Sequence, residues 1–217
     1  MSQLPIAIHT AEQVRAIDRF AIEKLGVPAY TLMTRAGVAG LRILKTRWPN
    51  AQRIVVICGV GNNAGDGYVL ARYARQTGLS VSVVSLFDLG KLRGDALTAL
   101  RDYQAAGGQV SQSPAGAGTL AQADVIVDAI FGTGLSRPLD ASLSAQVHAM
   151  NAATAPILAL DIPSGVDANT GHVLGAAIKA DCTITFVGLK LGFYLGVAPD
   201  YFCLLYTSPS PRDVEES

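Results

Sequence analysis

Short apolar runs alternate along the chain with segments in which apolar residues recur at helical spacing. The apolar runs indicate strands buried on both faces, and they cover residues 54–58, 81–87, 125–129, 157–160 and 182–187. The helical patterns cover residues 10–25, 32–44, 68–76, 94–106 and 140–152. Strands that alternate with helices of this length are joined by right-handed crossovers. The pattern therefore predicts an α/β fold with a doubly wound, parallel sheet.

Composition narrows the class of protein. Of 217 residues, 50% are hydrophobic and 16% are charged, which fits one domain with a sizeable core. Basic and acidic residues are balanced at 17 each, so charge favours neither nucleic acid nor an anionic membrane as a partner. The sequence shows no bilayer-spanning apolar stretch and no signal-peptide pattern. We therefore expect a cytoplasmic protein.

The sequence also predicts where the cysteines lie and where the domain ends. Cys58, Cys182 and Cys203 lack metal-ligand spacing and are expected to be small core residues. Residues 203–217 resemble a translated adapter sequence and show little strand or helix pattern. We expect the domain to cover residues 1–202, and residues 203–217 to be a non-native or disordered tail at which the natural chain is cut short.

Polar, glycine-bearing segments follow three of the predicted strands. They comprise residues 59–67, then Asp128 with residues 132–138, then Asp161 with Ser164. The carboxyl ends of parallel strands meet at one edge of a sheet, and ligands bind there. A strand that breaks into glycines and then opens a helix also presents free backbone N–H groups to a phosphate. The three segments together predict a binding site, although each of the two aspartates alone could simply brace a turn.

The oxygen-bearing side chains at this edge predict a cation. Asp66, Asp128 and Asp161 would repel one another unless a positive group lay among them. Asn63, Asp128 and Ser164 offer hard oxygen ligands without His or Cys, which argues against zinc. One carboxylate among neutral oxygens suits potassium better than magnesium or calcium. We therefore predict a potassium site ligated by Asn63, Asp128 and Ser164.

Six segments of the chain carry motifs of a known family, at residues 13–18, 32–37, 61–68, 128–135, 161–167 and 183–186. The most specific are Asn-Asn-Ala-Gly-Asp-Gly at residues 62–67 and Asp-Ile-Pro-Ser-Gly at residues 161–165. Through these motifs the chain resembles, from residue 10 to about residue 201, the NAD(P)H-hydrate epimerase family, also called the YjeF N-terminal domain. Two positions depart from the family pattern: Ala64 replaces a usual glycine, and Thr34 replaces a commoner glutamate. A positive φ at position 64 would make the extra methyl costly.

The resemblance implies a fold, an activity and a set of contacts. The fold is a three-layer α/β/α sandwich with a mostly parallel, Rossmann-like doubly wound sheet. The activity is that of an isomerase that interconverts the R and S forms of hydrated NADH and NADPH at C6 of the nicotinamide ring. An S-specific dehydratase, often fused in bacteria, then restores the cofactor, and the epimerase is a homodimer with one K⁺ per subunit. The implied substrate contacts are Asn62, Asn63, Ala64, Gly65, Asp66, Gly132, Thr133, Gly134, Leu135, Ser136, Arg137, Pro138 and Asp161.

Epimerisation requires the hydroxyl group to leave C6 and return on the other face, so a proton must reach its oxygen. We predict Asp161 as the general acid/base, since a strand end can aim it rigidly. Lys190 is a second candidate donor, although an ordinary surface position is expected for it. Two other functions stay open: a non-catalytic, dimerising scaffold of the same fold, and a Rossmann oxidoreductase that uses Asp88 to bind a ribose.

Overall fold

The computed structural model describes residues 7–208 of the chain. Six α-helices lie in this range: α1 Ala11–Glu23, α2 Ala29–Arg47, α3 Asn62–Gln76, α4 Gly94–Ala105, α5 Ala117–Ala121 and α6 Ala141–Asn151. The strands are β1 Ile8–His9, β2 Arg53–Cys58, β3 Ser80–Ser85, β4 Val110–Ser111, β5 Val125–Ala129, β6 Ile157–Leu160, β7 Ala180–Thr185, β8 Leu189–Lys190 and β9 Phe202–Thr207. Helices and strands alternate as the sequence predicts.

Seven strands form one sheet in the order β4-β3-β2-β5-β6-β7-β9, and every neighbouring pair is parallel. The chain starts this sheet at β2, adds β3 and β4 on one side, and then returns to add β5, β6, β7 and β9 on the other. The direction of winding therefore reverses between β2 and β5, which is where ligands bind in such sheets. A separate two-stranded sheet pairs β1 with β8 and sets His9 opposite Lys190.

Alternate residues of each central strand enter two different cores. Val56 and Val127 belong to the core under α2, α3 and α4, while Val55 and Ile126 belong to the core under α5 and α6. A strand buried on both faces explains its continuous apolar run. The arrangement confirms the predicted three-layer α/β/α sandwich.

The start of α3 differs from the prediction. The helix begins at Asn62 rather than near Tyr68, so the glycine-rich segment forms its first turns. Glycine, asparagine and aspartate disfavour helices, but packing overrides this preference. A Cβ on Gly65 would collide with Met33 of α2, and one on Gly67 would lie 2.6 Å from Ala129 Cβ. Ala64 is helical with a negative φ, so the concern about its methyl group is wrong.

The predicted tail is also partly wrong. β9 extends the sheet beside β7, with Cys182 opposite Leu204 and Ile184 opposite Tyr206. The edge of β7 offers backbone groups that need partners, and Leu204 and Tyr206 pack on the main core. Residues 203–207 are therefore part of the domain, and the remaining tail prediction falls mostly on residues 209–217, outside the described range.

The structure also bears on the predicted burial of the cysteines and on the predicted absence of a membrane-spanning segment. Cys58 and Cys182 are buried as expected, but Cys203, on the edge strand β9, is exposed. Within residues 7–208, none of the helices combines the length and apolar character needed to cross a bilayer.

Candidate functional site

A cavity of about 530 Å³ opens at the carboxyl edge of the sheet, where the winding reverses. Its walls come from the segments that follow β2, β5, β6 and β7, and from the faces of α1 and α2. Apolar side chains make up part of the wall, namely Val14, Ile22, Leu32, Met33, Ile130, Phe131, Leu135 and Phe186. An apolar cavity with a few convergent polar groups is typical of a small-molecule site.

The cavity brings together most of the predicted substrate contacts. Those that line it are Asn62, Asn63, Asp66, Gly132, Thr133, Gly134, Leu135 and Asp161. Ala64 and Gly65 instead lie on the buried side of α3, in its packing against neighbouring helices. Ser136, Arg137 and Pro138 are exposed and continue beyond the cavity wall. Asp88, the ribose ligand of the oxidoreductase hypothesis, caps a 3₁₀ turn by accepting from Gly90 N–H at 2.9 Å and does not line the cavity.

Asp128 and Ser164 meet below the loop that follows β5. The Asp128 carboxylate is fully buried and accepts from the Ser164 hydroxyl at 2.6 Å, from Ser164 N–H at 2.8 Å and from Ile130 N–H at 3.2 Å. Burial raises the pKa of Asp128 to about 6, and these three donors oppose the rise. Ser164 Oγ in turn accepts from Phe131 N–H at 2.9 Å. The pair therefore fixes the loop that forms one cavity wall.

Asp161 is held in an unusual backbone conformation at the end of β6. Its φ of 69° lies in the left-handed region, which costs a non-glycine residue energy and is common at functional sites. Its N–H donates to Ile184 O at 2.8 Å, and its Oδ2 accepts from Thr133 N–H at 3.2 Å. A Cβ at position 132 would lie 2.7 Å from that same Oδ2, so Gly132 allows the loop to approach the carboxylate.

Lys190 places a buried positive charge next to Asp161. Its side chain is fully buried, so the expectation of a surface lysine is wrong. Lys190 Nζ contacts Asp161 Oδ1 and also donates to Thr185 Oγ1 at 2.6 Å and to Phe186 O at 2.7 Å. An ammonium has three donors, and here three acceptors satisfy them. The β1–β8 pairing fixes the backbone of Lys190.

Two more carboxyl groups share this environment with Asp161 and Lys190. Burial, then the charge of Asp161, raises the pKa of Asp18 to about 6, while Lys190 opposes the rise. Burial, then Asp161 and Asp18, raises the pKa of Asp66 well above its usual range, again opposed by Lys190. Lys190 therefore places a positive charge near Asp18, Asp66 and Asp161, and the predicted potassium ion stays a prediction.

Asp18 was missed as a site residue, although the sequence carries a signal for it. Val14, Asp18 and Ile22 are spaced four residues apart on α1, and all three line the cavity. An aspartate in the middle of an apolar helical stripe is unusual, because a charge on the buried face costs energy unless it has a function or a partner.

Asn63 carries an unsatisfied polar group at the cavity wall. Its side chain is 6% exposed, and neither its Oδ1 nor its Nδ2 has a hydrogen-bond partner within residues 7–208. Buried amides are ordinarily paired, so this one is available to a ligand.

The family model for the YjeF-related protein N-terminus matches residues 29–192, most of the chain. The chain belongs to this family. Among curated YjeF-related relatives, the NAD(P)H-hydrate epimerase of Limosilactobacillus fermentum is 40% identical over 84% of this chain and 86% of its own. The NAD(P)H-hydrate epimerase of Weissella koreensis is 36% identical over 86% of this chain and 83% of its own.

Other YjeF-related relatives are longer. The bifunctional NAD(P)H-hydrate repair enzyme Nnr of Coxiella burnetii is 41% identical over 89% of this chain, which spans 39% of that enzyme. The crystal structure of yeast ynu0, YNL200c, superposes with a TM-score of 0.79 at 20% identity, covering 92% of this chain and 88% of that one. This chain and the yeast protein therefore share the same fold.

The match of the YjeF-related family model begins after α1. That helix nevertheless contributes Val14, Arg15, Asp18 and Ile22 to the cavity. Arg15 also donates to Thr133 O at 3.4 Å, which joins α1 to the loop after β5. The site is therefore complete only with the helix that precedes the matched segment.

Proposed function

We propose that the protein is an NAD(P)H-hydrate epimerase that interconverts the R and S forms of hydrated NADH and NADPH, and so serves cofactor repair. Relatives of that name match it over most of their length. The observation that carries the proposal is the cavity at the reversal of the sheet, in which Lys190 and Thr133 hold the carboxylate of Asp161 against a partly apolar wall.

The start of α3 suits the phosphates of such a substrate. Its N-cap is Gly61, and no side chain caps the helix, so the first backbone N–H groups are available to an anion. Anions bind at helix N-termini through these groups and the helix dipole. Gly61, Asn62 and Asn63 line the cavity, so a dinucleotide could place its phosphates here and its nicotinamide ring among the apolar side chains.

Asp161 is the group that we propose for proton transfer at the C6 hydroxyl. Loss of that hydroxyl leaves an iminium between the ring nitrogen and C6, and return of water to the opposite face completes the inversion. A negative carboxylate next to the ring stabilises the positive charge and can take a proton from the returning water. The apolar wall excludes other water molecules that would otherwise compete.

We also propose a potassium ion held by Asn63, Asp128 and Ser164. Among the residues that the structure describes, the buried Asn63 Oδ1 has no hydrogen-bond partner, which supports the ion because a cation would satisfy that oxygen. The carboxylate of Asp128 and the hydroxyl of Ser164 already lie together, and Phe131 O lies 3.2 Å from Ser164 Oγ. When bound, the ion would supply positive charge next to the loop that faces the substrate.

Thermal unfolding in KCl, NaCl and LiCl at equal ionic strength tests the ion. An ion that binds only the folded state raises the midpoint by an amount that grows with its concentration relative to Kd, so KCl should raise it above the other two salts. Asn63→Ala should abolish the difference. Equal midpoints in all three salts for the native chain would contradict the ion site.

The activity is tested by giving the protein a mixture of NADHX epimers together with an S-specific dehydratase. An epimerase lets the R form be consumed at an enhanced rate, whereas the dehydratase alone leaves R to slow spontaneous inversion. Asp200→Asn, an exposed carboxyl outside the cavity, is the matched control and should keep full activity. No acceleration by the native chain would refute the proposal.

We further propose a cytoplasmic homodimer that works with an S-specific dehydratase. The bifunctional relatives, which are named repair enzymes, support the pairing with a second activity. Light scattering should give twice the monomer mass, and cell fractionation should recover the protein with cytoplasmic markers. A monomer mass at all concentrations would refute the dimer.

A further inference from the structure

Two carboxyl groups of the cavity differ in the donors that reach them. Asp161 receives Lys190 Nζ at one oxygen and Thr133 N–H at the other. Asp66, on α3, is 9% exposed and lines the same cavity. Within residues 7–208, no hydrogen bond or ion pair engages its carboxyl group.

This difference decides which carboxyl group is charged. Donors at both oxygens stabilise an ionised carboxylate, whereas burial without donors favours the neutral acid. The charges of Asp161 and Asp18 add to the effect at Asp66, and the only nearby cation among its interactions, Lys190, already donates to three acceptors. The other charged residues of the cavity wall are Arg15, Arg35 and Asp95, all at least partly exposed.

We propose that Asp66 is a second proton-transfer residue, the neutral acid that protonates the leaving hydroxyl group while ionised Asp161 serves as the base. The proposal rests on the proposed epimerase function. It extends that function by dividing proton transfer between two residues on different elements, α3 and the end of β6. Neutral and ionised carboxyl groups in one site are a recurrent arrangement for acid and base catalysis.

The chemical step balances with these two groups alone. The C6–O bond breaks and its electron pair stays on oxygen, which takes the proton of Asp66 and leaves as water. The lone pair of the ring nitrogen forms the C=N bond of the iminium. Water then attacks C6 from the other face, the C=N pair returns to nitrogen, and Asp161 takes the released proton. Exchange with solvent, or the reverse reaction with the roles swapped, restores the starting protonation states.

Carbon NMR of protein labelled at the aspartate side-chain carboxyl carbon tests the protonation state without substrate. One carboxyl resonance should remain that of a neutral acid at neutral pH and should be missing from Asp66→Asn. Asp200→Asn should keep that resonance. An ionised Asp66 at neutral pH would overturn the inference, whether or not the protein is an epimerase.

The pH dependence of epimerisation tests the role. Asp66→Asn should lower kcat by about 10²–10⁴-fold with a much smaller change in KM, as expected for loss of general acid catalysis. Asp66→Asn should also remove the fall in activity at alkaline pH. Asp66→Glu, which keeps a carboxyl group, should restore part of kcat and the alkaline fall. If the native chain is active and Asp66→Asn keeps both its rate and its alkaline limb, the inference is wrong. If the native chain is inactive, the proposed function fails instead.

Discussion

Asp128 and Asp66 are both almost completely buried at the carboxyl edge of the sheet, yet their surroundings differ. Three donors satisfy Asp128, and none reaches the carboxyl group of Asp66 among the described residues. The donors at Asp128 are Ile130 and Ser164, in the segments that follow β5 and β6, whereas the charges of Asp161 and Asp18 act on Asp66 at the cavity. Burial alone therefore does not assign a role. The donors stabilise the carboxylate of Asp128, whereas their absence at Asp66 favours the neutral acid that we propose as a proton donor.

The largest effect on activity is expected from a change at Asp161, the ionised carboxylate of the cavity. Asp161→Asn should lower epimerase activity by about 10²–10⁴-fold, because the amide cannot accept the proton of the returning water. Coupled consumption of the R epimer measures the rate. Because this variant also leaves Lys190 without its carboxylate partner and is expected to be less stable, circular dichroism at the assay temperature should confirm that it is folded while the rate is measured. An unchanged rate in this variant would remove Asp161 from the mechanism.

Lys190 is the cation that pairs with the carboxylate of Asp161, and within residues 7–208 it forms no ion pair with Asp66 or Asp128. Lys190→Met should reduce the free energy of unfolding by about 3–5 kcal/mol, as when one partner of a buried ion pair is removed. Urea unfolding measures the loss. Adding Asp161→Asn to Lys190→Met should recover part of the stability, because the uncompensated charge disappears. Additive losses in the double variant would contradict a direct coupling of the two residues.

The satisfied carboxyl group should matter to stability more than an ordinary surface aspartate. Asp128→Ala leaves the N–H groups of Ser164 and Ile130 buried without that acceptor, at a cost of about 1–3 kcal/mol for each donor left unpaired. Asp200→Ala, at an exposed position, is the control and should change stability by less than about 0.5 kcal/mol. A similar, small effect for both variants would mean that the Asp128 bonds do not stabilise the fold.

The smallest expected effect is the contribution of Asp18 to the pH dependence of the free energy of unfolding. Its folded pKa, about 6, lies above the unfolded value because of burial and then Asp161, so the folded state binds more protons between those two values. Stability therefore falls as pH rises from about 4 to about 6. Asp18→Asn should remove about 1 kcal/mol of that fall, after allowance for solvent screening of a partly exposed group. Identical pH profiles for both chains would contradict the shift.

The sequence predicted the parts of the molecule that depend on local pattern. The apolar runs located the central strands, because a strand buried on both faces has few polar positions. The carboxyl-edge rule then predicted that the polar segments after β2, β5 and β6 meet at one site. In the structure Asn63, Asp66 and Asp161 line one cavity, and Asp128 bonds Ser164 below the loop after β5. These conclusions need only strand direction and sheet order.

The parts that depend on distant contacts were harder to predict. Lys190 reads as a surface residue until β8 pairs with β1, more than a hundred residues earlier, and buries it. The first turns of α3 read as a loop, because their helical state comes from packing against Met33 and Ala129. β9 lacked a clear pattern of its own and forms by pairing with β7.

Epimerisation in water enriched in heavy oxygen tests the account most directly, because inversion and exchange of the C6 oxygen are followed in one sample by chromatography and mass spectrometry. If Asp66 protonates a leaving hydroxyl and Asp161 deprotonates the returning water, each inversion catalysed by the native chain carries a solvent oxygen into the product. Asp66→Asn and Asp161→Asn should lose inversion and labelling together. Rapid inversion that retains the original oxygen would contradict the mechanism.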